Sequence, residues 1–293
     1  MIHTFHHLGI ITHNLAGAVA QYERLGFVFT PLSFPEFPLV PGGTPELVGV
    51  ANRHMIFRNG YVEMLGVVDP ARWSSISVAQ RGPYDIDRPL RRYEGLHVMH
   101  FGTEDLNEVR VRMVRDGLNP SPIRPFRRTV ELPDGSVTLM HARCLSLPPE
   151  ATPEALFQIV QHETPELVLQ PRFMNHPNGA SRLSEAILCV EDPAEVAARY
   201  ASYAGRPVER RGNLYCIELG EGRLVVLDRA NLTAVLPGET ASVLPCLAGF
   251  TVTADLDRTG TFLLRQRIPF LRQDGRIVVS ARDACGSAVV FTP

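Results

Sequence analysis

The chain has 293 residues, 45% of them hydrophobic and 20% charged, with a formal net charge of −2. That length suits two domains, and the composition is that of a globular protein with a sizeable core. The near-neutral balance excludes a global basic field for nucleic acid, and the apolar runs fall short of the roughly 20 residues that span a bilayer.

No charged n-region followed by an apolar stretch opens the chain, so no signal peptide is expected. Five cysteines, Cys144, Cys189, Cys216, Cys246 and Cys285, are scattered without a CxxC. Free thiols of a cytoplasmic protein are the plain reading.

In chain order, "HLGIITHNLAGAVAQYERLGF" reads as a strand, then Asn14 as a helix cap, then a helix closed by Gly26. The next segments, "ANRHMIFRNG" and "YVEMLGVV", read as strands, with Asn59-Gly60 as a hairpin turn. "PARWSSISVAQRGPYDIDRPLRRYEG" lacks periodicity and reads as a loop packing over a cavity. "LHVMHFGTEDLNEVRVRMVRDGL" repeats the opening layout with Asp105 as cap and Gly117 as stop; "SVTLMHARCLSL" and "ALFQIVQH" follow as strands. "LSEAILCVEDPAEVAARYASYAG" is a third copy, capped by Asp192 and closed by Gly205; "LAGFTVTADLDRTGTFLLRQRIPF" is a fourth, capped by Asp255. Each is again followed by short apolar strands. Helices are thereby predicted over 14–25, 105–116, 192–204 and 256–265.

The unit is βαβββ, used four times, which makes the fold class α+β with two domains of paired modules. Modules one and two occupy 1–175, and modules three and four occupy 176–293. The boundary falls at "HPNGASR", whose Pro, Asn and Gly suit a linker.

Four such units, with a His on the first strand and the strand "GYVEML", resemble the vicinal oxygen chelate superfamily, in particular its glyoxalase-like bacterial branch. The residues that carry the resemblance are "HHLGIITHNL", "ANRHMIFRNGYVEMLGVVDP", "QHETPELVLQPRF" and "HPNGA". It implies a glyoxalase/dihydroxybiphenyl dioxygenase-like arrangement, in which paired modules curl into a half-barrel around a divalent metal that chelates two neighbouring substrate oxygens.

His7 stands eight residues before Leu15, the spacing this family uses for its first ligand, and Glu63 falls at its carboxylate position. Imidazole with carboxylate suits Zn, Ni, Fe or Mn. Parity along the strand puts His6 on the opposite face from His7. In the second module the corresponding residue is Val98; a shifted register would bring His97 inward, and a regular one would present His100. Gln161 and His162 stand where the last ligand is expected.

The expected metal set is therefore His7, Glu63, His97 and His162, with Glu63 also able to act as base. His100, Gln161 and Arg127 are expected to contact substrate, Arg127 because guanidinium forks recognise carboxylates and phosphates. Two arginine groups, Arg91 with Arg92 and Arg124 with Arg127 and Arg128, have the head groups to hold an anionic substrate; the other reading of both is a solvated charged surface. His3, His13, His54 and His141 read as surface or loop residues, and Cys144 as core.

In the second half the equivalents of His7 are Glu185 and Ala248, and those of Glu63 are Val225 and Val290. That half reads as structural, as a cavity wall or as the surface of a homodimer. Two functions follow from the resemblance: a metal-dependent lyase, isomerase or dioxygenase acting on a small oxygenated substrate, or a metal-free protein that sequesters a small molecule.

Overall fold

Each of the four module helices begins at the residue the sequence marks. The computed structural model describes residues 1–40, 43–82 and 85–293. Its module helices are Leu15–Arg24, Leu106–Arg115, Pro193–Ala204 and Leu256–Arg265. The Asn14 side chain accepts the Gly17 N–H at 2.9 Å, and Asp105 accepts that of Glu108 at 2.9 Å. Asp192 and Asp255 each accept two backbone N–H groups in the same way. Such caps satisfy donors that the helix itself leaves open. Gly205 closes the third helix in the left-handed region, at φ 65°, where a side chain would be strained.

Module one supplies β1 (Ile2–Thr12), β2 (Glu36–Pro38), β3 (Pro45–Leu47), β4 (Val50–Phe57) and β5 (Gly60–Val67). Module two supplies β6 (Gly95–Thr103), β7 (Arg124–Glu131), β8 (Val137–Ser146) and β9 (Leu156–His162). Module three supplies β10 (Ala180–Cys189), β11 (Glu209–Arg211), β12 (Leu214–Glu218) and β13 (Arg223–Leu227). Module four supplies β14 (Cys246–Ala254), β15 (Leu271–Gln273), β16 (Arg276–Val279) and β17 (Ala288–Thr292).

In every module the first strand pairs parallel with the last, and the last pairs antiparallel with the one before it. The modules then join through their first strands, β1 on β6 and β10 on β14, both antiparallel. One pairs with two and three with four, as the repeat predicts. The fold is α+β. The Leu247–Leu96 pairing of β14 with β6 links the halves into one 15-stranded sheet, a further bridge joins Thr4 to Glu221, and β2 and β3 form a separate ribbon.

Both junctions are kinked at matching places. The β1–β6 ladder passes from Phe5–Phe101 to His7–His100, skipping His6, and from Gly9–Val98 to Ile10–Leu96, skipping His97. The β10–β14 ladder skips Ser184 and Ala248 in the same manner. Each extra residue is a β-bulge, which bends its strand and redirects the adjacent side chains.

Three local expectations are corrected. The β4–β5 hairpin turns at Arg58-Asn59, one residue earlier than the Asn59-Gly60 signal, because Phe57 pairs with Gly60. A Cβ at Gly60 would lie 2.8 Å from the Phe5 carbonyl oxygen, so the glycine serves close strand approach rather than the turn. The insertion is not a plain loop but contains helices Pro70–Ser75, Val78–Arg81 and Asp87–Leu90. These are too short to show a helical period, and they fold around buried Trp73, whose indole N–H donates to Asp87 at 2.9 Å. Residues 83 and 84 of this segment lie outside the described residues.

The boundary segment is likewise no exposed linker. His176 and Asn178 are buried. His176 accepts the Val28 N–H and donates to the Ile56 carbonyl, both at 3.0 Å. Asn178 donates to the Leu25 carbonyl at 2.9 Å and accepts the Ala180 N–H at 2.9 Å. One apolar cluster runs through both halves, from Ile2 to Phe291. Within it Tyr22 of the first helix donates to the Ala284 carbonyl, and Phe157 packs edge-on against Tyr200 at 5.5 Å. The helices thus lie between the halves, and the concave sheet faces look away from this shared core. Among the described residues no helix is long and apolar enough to cross a membrane.

A shared core predicts one cooperative unfolding transition. Asn178→Ala orphans a buried carbonyl and a buried N–H, so urea denaturation should show a loss of about 2–4 kcal/mol with the transition still single. Separate transitions for the two halves would contradict this packing.

Candidate functional site

The concave face of the first half gathers titratable side chains that lie far apart in the sequence, from His6 to His162. Register brings them together. His7 on β1 lies between Tyr61 on β5 and His100 on β6, and the next inward residue, Gly9, lies between Glu63 and Val98. His54 on β4 pairs with Glu63, and Gln158 on β9 pairs with His100. The bulge at His6 places its ring in the same cluster as His7.

The rings are in contact. His7 stacks on Tyr61 at 4.6 Å and meets His100 at 4.4 Å; His6 meets His162 at 4.2 Å. The Nδ1 atoms of His6 and His7 are 2.7 Å apart, so one donates to the other. His54 Nε2 lies 3.6 Å from a Glu63 carboxylate oxygen, which also accepts from the Asn52 amide at 3.1 Å. His6, His7, His54 and His100 are buried, and Glu63, Arg128, Gln158 and His162 are half-buried.

Burial sets the protonation states. It is the first cause holding His6 and His7 well below the usual imidazole range, and the neighbouring rings add to it. Burial also lowers His100 and His162 to about 4 each. His54 is lowered by burial and by Arg128 against the pull of Glu63. For Glu63, burial acts upward, but His54, His100 and Arg128 outweigh it, and its carboxyl sits below the usual range. Because His54 is itself neutral, the Asn52 amide is the firmer support for that carboxylate. Burial pushes the Tyr61 phenol up, against the downward pull of the Arg128 guanidinium. At neutral pH the site therefore holds five uncharged imidazoles, one carboxylate, one phenol and one guanidinium.

Several of these atoms lack partners. His6 Nε2, His100 Nδ1, both ring nitrogens of His162 and the Asn52 side-chain Oδ1 are buried without a hydrogen bond. An unsatisfied buried polar atom costs roughly 1–3 kcal/mol, so such a concentration points to a ligand. Imidazole and carboxylate are the donors a divalent cation takes, and in that chemical sense the set fits one. Among the described residues, however, no three His, Cys, Asp or Glu side chains are arranged around a common point. The His6–His7 contact and the hold of Asn52 on Glu63 keep the donors apart.

Of the residues expected from sequence, His7, Glu63, His100 and His162 come together. His97 does not. It is the bulged residue of β6, its ring packs 3.9 Å from that of Tyr93, and its Nε2 hydrogen-bonds the Tyr93 carbonyl at 2.8 Å. Gln161 is also elsewhere, its side-chain oxygen accepting from the Leu106 N–H and from Arg143. Arg127 is exposed, and strand alternation turns its neighbour Arg128 inward. His54, expected at the surface, is buried beside Glu63; His6, expected to face away, is in the cluster. Tyr61, Asn52 and Gln158 were not expected as site residues, and Arg128 was expected only as one member of the basic group around Arg127. Their signal was period-two parity: Tyr61 shares a face with Glu63, and Gln158 with His162.

In the second half the ladder assigns Glu185 and Gly249 to the place of His7, so Ala248 corresponds to bulged His6 instead. Val225 and Val290 hold the place of Glu63, as expected. Glu185 is matched by Arg223 and Thr251, both at 2.7 Å. The rest of this concave face is filled by Ile187, Leu227, Val278 and others, together with Leu232 and Val235 of helix Arg229–Val235. A polar cleft of about 350 Å³ lies nearby, but its charges pair among themselves, as in Arg182–Glu221 at 2.9 Å and Arg211–Glu218 at 2.8 Å.

Comparison with known proteins agrees with this layout. A family model described as "Glyoxalase-like domain" matches residues 5–204, which spans the site and runs through the third module helix. A hypothetical protein from Staphylococcus aureus is similar in structure, with TM-score 0.63 and 11% identity over 100% of both chains. A triple mutant of 4-hydroxymandelate synthase from Streptomyces coelicolor has TM-score 0.56 and 10% identity, over 99% of this chain and 92% of that one. At such identities the likeness is one of fold. No curated protein sequence matches the chain. With two thirds of its length under one family model and a βαβββ architecture throughout, the chain belongs to the glyoxalase-like domain family, within the vicinal oxygen chelate fold.

Proposed function

We propose that the first-half cluster is the active site of an enzyme acting on a small oxygenated substrate with the support of a divalent cation. The observation that carries this reading is the set of buried, unpartnered ring nitrogens on His6, His100 and His162. His7, His100 and Glu63 would hold the cation, with His162 and His6 as the next donors. When bound, the cation supplies Lewis acidity toward adjacent substrate oxygens.

The chain's own groups complete the chemistry. Glu63 is ionised at neutral pH and is the site's base, accepting a proton at a carboxylate oxygen. His54, neutral and 3.6 Å away, can pass that proton onward through its ring nitrogens. Tyr61 stays protonated and stacks on His7, which fixes the ring of a donor. Burial of four imidazoles keeps bulk water from the reacting atoms and strengthens each of these interactions.

The arrangement of donors favours a second reading. Since no three of them converge among the described residues, the same cluster could serve as the polar floor of a metal-free pocket for a small molecule. Metal analysis of untagged protein purified without chelator separates the two. The enzyme reading predicts near-stoichiometric divalent metal, lost on His7→Ala with little change in the thermal midpoint. Native protein free of metal, or metal content indifferent to His7→Ala, would favour the pocket.

The protonation states add a pH prediction. His100 and His162 titrate near 4 in the folded chain but near 6.5 when unfolded. The unfolded state thus binds more protons between those values, and stability rises with pH across that window. Urea midpoints should be flat above about pH 6.5 and fall steadily toward pH 4. Replacing both rings by Gln should flatten the fall; an unchanged slope would mean that these rings are not held neutral.

A further inference from the structure

We propose that Arg128 is the anchor for an anionic group of the ligand, so that the substrate class is a small carboxylate with an apolar body. This rests on the first-half cluster being the binding site, and it deepens that reading.

The argument begins with charge. Arg128 lies on β7, paired with Met140 of β8. It shares its strand face with Val130, which packs with Ile56, Tyr61, Met140, Ala142 and Val160 in an apolar cluster at one side of the site. Its guanidinium is near enough to Tyr61 and to His6, His54 and His162 to act on their protonation. Two arginines of neighbouring segments have acidic partners, Arg143 of β8 with Glu163 at 3.1 Å and Arg172 with Glu131 at 3.6 Å. Arg128 has no carboxylate within 4.0 Å among the described residues. The nearest acid of the site, Glu63, is taken by Asn52 and His54.

A half-buried guanidinium has five donors in a planar fork and no way to neutralise itself. Here it faces neutral imidazoles, which repel no anion and supply further donors. An incoming carboxylate would accept from the fork in two places while its apolar body lies against Val130, Met140 and Val160. A cation in the neighbouring donor set would add to the same attraction, and no like charge stands in the way except the engaged Glu63. Arg127 offers the same head group one residue away, but it is exposed and turned outward.

Benzoate and its neutral isostere benzamide are suitable probes. Binding of each to the purified protein, followed by calorimetry and by the ring signals of ¹⁵N-histidine-labelled chain, measures the preference for charge. The expected result is saturable benzoate binding that perturbs His6 and His162, with benzamide weaker by about tenfold or more. Arg128→Gln should erase that preference, and Arg127→Gln should leave it intact. Metal content of Arg128→Gln should match the parent, so a failure here is separable from a failure of the metal reading. Equal binding of the two probes by the parent chain, or a benzoate preference that survives Arg128→Gln, would overturn the proposal.

Discussion

The kinked antiparallel pairing of β1 with β6 is the contact on which the site depends. It sets His7 opposite His100 and Gly9 opposite Val98, and it leaves His6 as an extra residue whose ring turns toward His7. Gly9 makes the approach close enough: a Cβ there would sit 2.7 Å from that of Val98. β5 then docks parallel to β1 and delivers Tyr61 and Glu63 to the same face. The geometry of this neighbourhood thus follows from the two registers of β1, and a slip of one residue in either would turn every side chain of the slipped strand to the other face.

Burial gives that neighbourhood its character. Imidazoles in water would be partly charged near neutrality, but here desolvation keeps them neutral, and neutral rings carry the lone pairs that cations and protons seek. The second half shows that the backbone alone does not decide this. It repeats the bulges and the parallel pairing, yet it answers Glu185 with Arg223 and Thr251 and fills its concave face with aliphatic side chains. The same architecture therefore carries a polar centre on one side and a packed interior on the other, an instance of chemistry grafted on a fold.

Much of the fold was legible in the sequence because caps and periods are local. Asn14, Asp105, Asp192 and Asp255 mark helix starts by side-chain chemistry that acts over two or three residues, and all four helices begin there. The site was legible only in part, since its composition depends on register between strands. His7 and Glu63 were marked by the family resemblance, through the spacing to Leu15 and the "GYVEML" strand. The choice between His97 and His100, and between Arg127 and Arg128, turns on which residue a bulge or pleat sends inward, and no local signal carries that. Gln158 shares a strand face with His162, but only its pairing with His100 across β6 and β9 makes it a site residue. His54 escaped because a hairpin partner is recognised only once the turn is placed, and the turn lies one residue from the Asn-Gly signal.

The central claim is that the β1–β6 junction builds a neutral imidazole centre that takes a cation at His7, His100 and Glu63. Anomalous diffraction from crystals of untagged protein, recorded on both sides of the relevant absorption edges, tests it most directly. The account predicts one peak within coordination distance of His7, His100 and Glu63, with the His6–His7 contact opened, and none near His97. Strong anomalous density beside Tyr93 and His97, or on the concave face of the second half, would contradict it.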